Sequence, residues 1–274
     1  MDCVPQKAGI ACGGSHLVHG QIKNHINGLA REKEAMGYIT KLIRREMIAE
    51  NTLALSFEKP SGYEFLTGQY CFLNLPDKGF MDKRGLRRHL TIASSPLEKE
   101  LLFATRITGS AFKKTLKELS PGEAITIEKP LGNFTLPEDT STPLVFIAGG
   151  IGITPFRSMI RYASDARTKH SITLFYSNRK PEAAAFLEEM EHISVINDTL
   201  RIIPTMTDME TSARKWDGLT GRINPSMIKD NYREWDNAFY YIAGPPKMVD
   251  GIRDVIRGMH IGKERIRIEK LTGY

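Results

Sequence analysis

The sequence predicts two domains in tandem: an antiparallel β-barrel over residues 38–137, then an α/β domain wound on a parallel sheet over 143–274. Three observations predict this. From residue 38 onward, about six short apolar runs alternate at the spacing of an all-β domain. After a linker of Pro, Thr, Ser and acidic residues at 137–143, the rhythm changes to strand–helix alternation. In that second half, two strands run into glycine turns that each open a helix.

In the first domain, the runs 38–43, 53–57, 70–75, 90–93, 101–107 and 124–128 have the length of strands, the last following a Pro121-Gly122 turn. One helix is expected over 111–119. Gly109-Ser110 precede it and Lys113, Lys114 and Lys117 lie within it, so its N-terminus can receive a phosphate. In the second domain, strands are expected at 144–148, 171–176, 200–205, 239–243 and 266–271, with helices at 155–163, 181–191, 225–231 and 247–258. Residues 1–37 read as an N-terminal extension, disordered or carrying one short helix over 22–36.

The stretch Pro143-Leu-Val-Phe-Ile-Ala-Gly-Gly-Ile-Gly-Ile-Thr-Pro155 carries the most information. A continuous apolar run suits a strand covered on both faces. Gly149, Gly150 and Gly152 permit positive φ and close approach to bare backbone. Thr154 and Pro155 suit a helix start, where unpaired N–H groups and the dipole favour an anion. Phe239-Tyr-Tyr-Ile-Ala243 repeats the pattern before Gly244-Pro-Pro-Lys-Met248. Two such turns at the carboxyl edge of one parallel sheet argue for a nucleotide site.

Composition narrows the classes. Net charge is +6, with basic clusters at Lys83, Arg84, Arg87 and Arg88 and again at Lys113, Lys114 and Lys117. No helix-turn-helix, zinc-finger or RNP motif supports nucleic acid. Phosphate-bearing cofactors, an acidic protein partner or a solvated surface explain the charge equally well. Cys3, Cys12 and Cys71 are too scattered for a disulfide framework, which fits a reducing, cytoplasmic compartment, and too few for four-thiolate ligation of an iron–sulfur cluster. Cys3 and Cys12 near His16, His19 and His25 match no usual zinc spacing, so no metal site is expected. No apolar run approaches a bilayer span, and no secretory signal is evident.

In order along the chain, seven motifs resemble those of the ferredoxin–NADP⁺ reductase family of flavoproteins, over roughly 38–274. They are Gly68-Gln69-Tyr70, Arg88-His-Leu-Thr91, Gly109-Ser-Ala-Phe-Lys-Lys-Thr-Leu116, Gly132-Asn-Phe134, Gly149-Gly-Ile-Gly-Ile-Thr-Pro155, Gly244-Pro-Pro-Lys-Met248 and Glu269-Lys-Leu-Thr-Gly-Tyr274. The resemblance implies an FAD-binding barrel followed by a Rossmann-like NAD(P)-binding domain. It implies that Arg88 pairs with the flavin diphosphate, a task suited to a planar multidonor cation, with His89 and Leu90 beside it in the motif. Thr91 is implied to hydrogen-bond near flavin N5. Ser110, Ala111 and Phe112 would offer backbone N–H groups to the diphosphate. Gly149, Gly150, Gly152 and Thr154 would hold the pyridine nucleotide's diphosphate, and Gly244, Pro245, Pro246 and Met248 would flank its nicotinamide. Thr91 and Tyr274 are the residues implied at the reacting centre, Tyr274 either covering the second flavin face or lying in a free tail. Two positions depart from the family: Leu90 stands where a tyrosine stacks on the flavin, and Ala243 where a cysteine lies beside the nicotinamide.

The implied activity is that of an FAD-dependent NAD(P)H reductase. Hydride passes from nicotinamide C4 to flavin N5, and single electrons then leave for a separate acceptor, since the cofactor carries this chemistry. The acceptor expected is an acidic ferredoxin or flavodoxin, or else an oxygenase component. A non-catalytic nucleotide-binding subunit is the rival reading, motivated by Leu90 and Ala243. NADPH is expected over NADH. Ser177-Asn-Arg-Lys180 follows the second strand of the α/β domain, and no carboxylate appears until Glu182. Arg179 is the candidate reader of the 2′-phosphate, with Ser177 and Lys180 assisting.

Overall fold

The computed structural model describes Met1 and residues 37–272. The expected helix at 22–36, the cysteine and histidine cluster of the extension, and Tyr274 lie outside the described residues. Tyr38–Tyr274 forms one compact unit.

Its first half holds β1 (Tyr38–Ala49), β2 (Thr52–Glu58), β3 (Tyr70–Asn74), β4 (Arg87–Thr91), β5 (Glu100–Arg106) and β6 (Ala124–Ile127). They form a six-stranded antiparallel sheet in the order β4-β3-β6-β1-β2-β5. Its two end strands meet just past β4, where Ala93 N–H donates to Leu102 O at 2.7 Å. The sheet thereby curls around Leu55, Phe57, Leu73 and Phe103, and the helix α1 (Ala111–Glu118) adds Phe112 and Leu116 to that core. β1 runs past residue 43 because β2 ladders with it as far as Ala49. β4 starts at Arg87 rather than 90, since its two arginines pair with Asn74 and Leu73 of β3 although they break the apolar pattern.

The second half follows as β7 (Leu144–Gly149), α2 (Ile153–Asp165), β8 (Ile172–Asn178), α3 (Leu187–Ile196), β9 (Leu200–Met206), β10 (Leu219–Thr220), α4 (Pro225–Asn231), β11 (Phe239–Gly244), α5 (Pro246–Gly258) and β12 (Ile266–Lys270). The sheet is parallel, in the order β10-β9-β8-β7-β11-β12. β7 is buried throughout because both faces are covered. Phe146 and Tyr176 pack with Phe156 and Met159 on one side. Ile147 and Phe175 pack with Val249 and Ile252 on the other. Strand order reverses between β7 and β11, which opens a crevice at their carboxyl ends.

One element departs from expectation. The helix predicted over 181–191 is split into a 3₁₀ turn, Pro181–Ala183, and α3, with Phe186 between them at φ +60°. Alanine favours helix, but here tertiary contacts override propensity. The small side chains of Ala183, Ala184 and Ala185 are buried, and Tyr176 O–H donates to Ala185 O at 2.9 Å. β10, only two residues long, carries no readable sequence pattern.

The barrel's end is tied into the α/β core by Phe134. Its ring lies edge-on to Phe156 at 5.7 Å and to Tyr241 at 5.3 Å. Gly68 takes φ +85°, and a Cβ there would fall 2.2 Å from Phe134 O, so the glycine of Gly68-Gln69 is a packing requirement.

Candidate functional site

Two clefts meet at Ile151, which lines both. The larger, about 720 Å³, opens at the carboxyl ends of β7, β8 and β11. Gly149, Gly150, Ser177, Arg179, Pro245 and Met248 all line it. Gly150 takes φ +53°, which favours glycine, and a Cβ there would meet nothing within 4 Å, so its backbone faces open space. Gly152 has a different task. A Cβ on it would sit 2.3 Å from Ala243 O, so this glycine lets the two turns pack backbone to backbone. Gly244 (φ +154°) packs against Gly149 in the same way and, like Gly152 and Pro246, does not line the cleft. Ala243 is fully buried in the core under α2.

The lining of the large cleft holds Arg106, Arg179, Arg222 and Lys247 and no acidic side chain. Lys180 is not among them, because its ammonium pairs with Glu50 at 2.9 Å. Asn178 is only 5% exposed, and its Nδ2 has no hydrogen-bond partner. Its backbone carbonyl accepts from Thr207 N–H at 2.9 Å. A buried, unpaired amide on the cleft wall is a donor awaiting a polar ligand atom.

The smaller cleft, about 240 Å³, lies between β4, β5, the start of α1 and the start of α2. Arg88, His89, Leu90, Thr91, Ser110, Phe112 and Thr154 all line it. Leu90 leans on the barrel core, and the His89 ring lies 5.2 Å from that of Tyr70. Thr154 Oγ1 donates to Ile151 O at 3.1 Å, which fixes the turn shared by the clefts. Ser110 caps α1, its Oγ accepting from Lys113 N–H at 3.4 Å.

Arg87 and Arg88 are adjacent but differ in use. Arg87 grips Glu128 with two bonds, 2.6 and 2.8 Å, and lies 3.6 Å from the Phe72 ring centre. Arg88 is anchored through Nη1 to backbone carbonyls, those of Arg84 and Arg87, while its buried Nη2 has no hydrogen-bond partner. Orphaned donors in both clefts, Arg88 Nη2 and Asn178 Nδ2, fit anionic or polar groups of bound nucleotides.

Sequence reasoning misses several residues here. Asp82 lies at the edge of the small cleft, its carboxylate accepting Ala111 N–H at 2.8 Å and Arg84 N–H at 2.8 Å, with Arg88 Nη2 3.5 Å away. The Ala111 bond, then the Arg84 bond, hold its pKa below the usual carboxylate range. Ala111 N–H, expected to face a diphosphate, is thus engaged by the chain itself. Lys113, buried against the positive charge of Arg106, has its pKa pushed down to about 8, burial being the larger cause. Arg222 reaches the large cleft from just beyond the two-residue β10, where Gly221 turns with φ +92°. Leu271 and Thr272 also line the small cleft.

No group of three or more metal-ligating side chains occurs among the described residues, and no helix there is long and apolar enough to cross a membrane.

Comparison with known proteins agrees with this architecture. Residues 146–254 match the family described as oxidoreductase NAD-binding domain. Ferredoxin–NADP reductase B of Sorangium cellulosum is 27% identical over 248 residues, covering 86% of this chain and 98% of that one. The reductase component of propane 2-monooxygenase from Rhodococcus jostii is 26% identical over 246 residues, 85% of this chain; the chain spans 63% of that protein's length. Among solved structures, the flavohem-like FAD/NAD-binding domain of nitric oxide dioxygenase from Vibrio cholerae superposes with a TM-score of 0.74 at 15% identity, covering 86% of this chain and 99% of that one. The chain therefore shares the two-domain fold of ferredoxin–NADP⁺ reductase-like structures, and its residues 146–254 match the oxidoreductase NAD-binding domain.

Proposed function

We propose that the protein is an FAD-dependent NAD(P)H reductase that serves a separate one-electron acceptor. The observation that carries this reading is the junction at Ile151 of two clefts, each lined by a residue with a buried donor that makes no hydrogen bond, Arg88 Nη2 and Asn178 Nδ2. FAD, when bound, supplies the chemistry: it takes a hydride from the nicotinamide and gives up electrons one at a time. The residues of this chain bind, orient and exclude water. Arg88 and the N-terminus of α1 hold the flavin diphosphate from the barrel side. Gly150, beside the buried Gly149, exposes backbone to the pyridine nucleotide's diphosphate, with Asn178 donating from the wall. Thr91 and Thr154 both line the small cleft, and Thr91 is the residue assigned to the flavin's reacting edge. Arg179, with Arg222, reads the adenosine 2′-phosphate, which makes NADPH the preferred donor.

The acceptor we infer is an acidic carrier of the ferredoxin or flavodoxin class. The sequence has only three cysteines, too few for four-thiolate ligation of an iron–sulfur cluster, and carries a net charge of +6, and Arg84 lines the flavin cleft. Likeness to the propane 2-monooxygenase component favours a second reading, in which an oxygenase component takes the electrons.

Acid extraction of the purified protein should release FAD, and stopped-flow mixing with NADPH should bleach it. A protein that cannot be reconstituted with FAD, or whose FAD no pyridine nucleotide reduces, overturns the reading. Transfer to an acidic carrier should slow as salt rises, while transfer to a neutral dye changes little. Equal salt responses would remove charge-guided docking.

A further inference from the structure

Neither cleft accounts for Arg157. It sits on α2 one turn beyond Thr154, is 6% exposed, and touches no cleft. Its guanidinium has five N–H bonds to give, and all five are given. Nε donates to Glu189 Oε2 at 2.8 Å and Nη2 to Glu189 Oε1 at 2.7 Å, which ties α2 to α3. The other three cross to the barrel. Nη1 donates to Ala93 O at 2.8 Å and to Glu98 Oε2 at 3.1 Å, and Nη2 to Glu98 Oε1 at 3.2 Å. The Phe186 ring lies 5.2 Å from the guanidinium, so the residue that breaks the 181–191 helix also flanks this fork. Beside it, Ser158 Oγ donates to Ser94 O at 2.7 Å.

Its barrel partners stand at a telling place. Ala93 follows Thr91 by two residues and closes the sheet through its bond to Leu102 O. Ser95 N–H donates to Glu98 Oε2 at 2.6 Å, so the receiving carboxylate is itself held. A rigid path therefore runs from Thr91 through Ala93 and Arg157 to Thr154, from one wall of the small cleft to the other. Two carboxylates around one buried guanidinium leave an excess negative charge, and such groups contribute more to fixing geometry than to net stability.

We propose that Arg157 is a positioning residue that sets the spacing between the barrel wall of the flavin cleft and the glycine turn of the nucleotide cleft. The inference rests on the reading that nucleotide-driven flavin reduction occurs where the clefts meet. Reaction across such a junction is steep in distance, and a displacement of about 1 Å costs on the order of a hundredfold.

The test uses the full-length holoprotein. Arg157→Met risks misfolding, so the decisive variants are Glu98→Gln, which places an amide N–H₂ against the guanidinium on the barrel side only, and Arg157→Lys, which has three N–H donors on one atom where the planar fork makes five bonds. Both should slow flavin bleaching at saturating NADPH by on the order of ten- to a hundredfold. Nucleotide Kd and FAD content should stay within about twofold of wild type, since no cleft residue changes. Amide hydrogen exchange should rise at 92–95 and 153–158 in Glu98→Gln, while Glu189→Gln, which spares the barrel contacts, should affect bleaching less. If wild type is reduced normally and Glu98→Gln is reduced as fast, the inference falls and the reading stands. If Glu98→Gln and Glu189→Gln lose thermal stability and nucleotide affinity in parallel, Arg157 is a structural pin and the inference also falls. If the flavin of wild type is not reduced at all, the functional reading fails and takes the inference with it.

Discussion

Each cleft is lined by the start of a helix with no acidic residue in its first turn, α1 at the small cleft and α5 at the large one, yet the two treat an anion differently. At the large cleft the glycine turn faces open space, and the surrounding charges are cationic. At the small cleft the chain supplies its own anion. Asp82 takes the Ala111 N–H and stands beside Arg88, so on the proposed assignment a diphosphate there meets a competing carboxylate.

Several variants can break that comparison. The largest effect is expected at Arg88. With Arg88→Ala, two charge-assisted contacts worth roughly 1.5–3 kcal/mol each are lost, so FAD affinity of the cofactor-stripped protein should fall by about a hundredfold or more. Arg87→Ala should fall far less, because Glu128 and Phe72 already occupy that guanidinium. Equal losses in a flavin titration would sink the division of labour between the two arginines. Next comes the large cleft. Arg179→Ala should lower the NADPH-to-NADH ratio of kcat/KM on the order of tenfold, with Arg222→Ala moving it the same way. Lys180→Ala should leave the ratio alone, since Glu50 holds its ammonium on the far side. A ratio that responds to Lys180 but not to Arg179 would reverse the assignment.

How much of this was readable in the sequence follows from what each feature depends on. The strands and most helices were legible because burial on one or both faces imposes a period, as in β7 and β8. The glycine turns were legible because glycine there answers a backbone requirement, although Gly152 and Gly244 turned out to serve packing between the turns. What escaped is what depends on folding back. The split at Phe186 comes from Tyr176 binding Ala185 O across the fold. Asp82 and Arg222 lie in loops whose reach no local pattern encodes. Arg157 reads as the polar side of an amphipathic helix, and only the assembled domains show that this side is buried against Ala93 and Glu98.

A smaller effect isolates Asp82. Asp82→Asn keeps the size of the side chain and removes its charge, so FAD should bind several-fold faster and tighter to the stripped protein, most clearly at low ionic strength. Arg88→Ala should erase that gain, because the two side chains share one anion site. Weaker binding in Asp82→Asn would mean that Asp82 organises the loop for the flavin instead of competing with it.

The smallest expected effect is a pH dependence carried by Lys113. Burial, assisted by Arg106, lowers its pKa from about 10.5 to about 8. Arg88 also faces this cleft, and Asp82 stands at its edge. In the stripped protein the native state therefore releases this proton before the unfolded chain does. Between about pH 8 and 10.5 the unfolded state binds more protons, so the contribution of Lys113 to stability rises with pH. Flavin binding has the opposite sign. A diphosphate favours the ammonium form, so affinity should be highest below about pH 8 and decline above it, with a slope of at most about tenfold per pH unit. Lys113→Met should flatten both trends above pH 8 while leaving the large cleft's affinity for 2′,5′-ADP unchanged. Thermal melts and FAD titrations across pH 7–10.5 read the two signs separately. If both slopes survive in Lys113→Met, another group carries them, and the small cleft is an anion site through Arg88 and α1 alone.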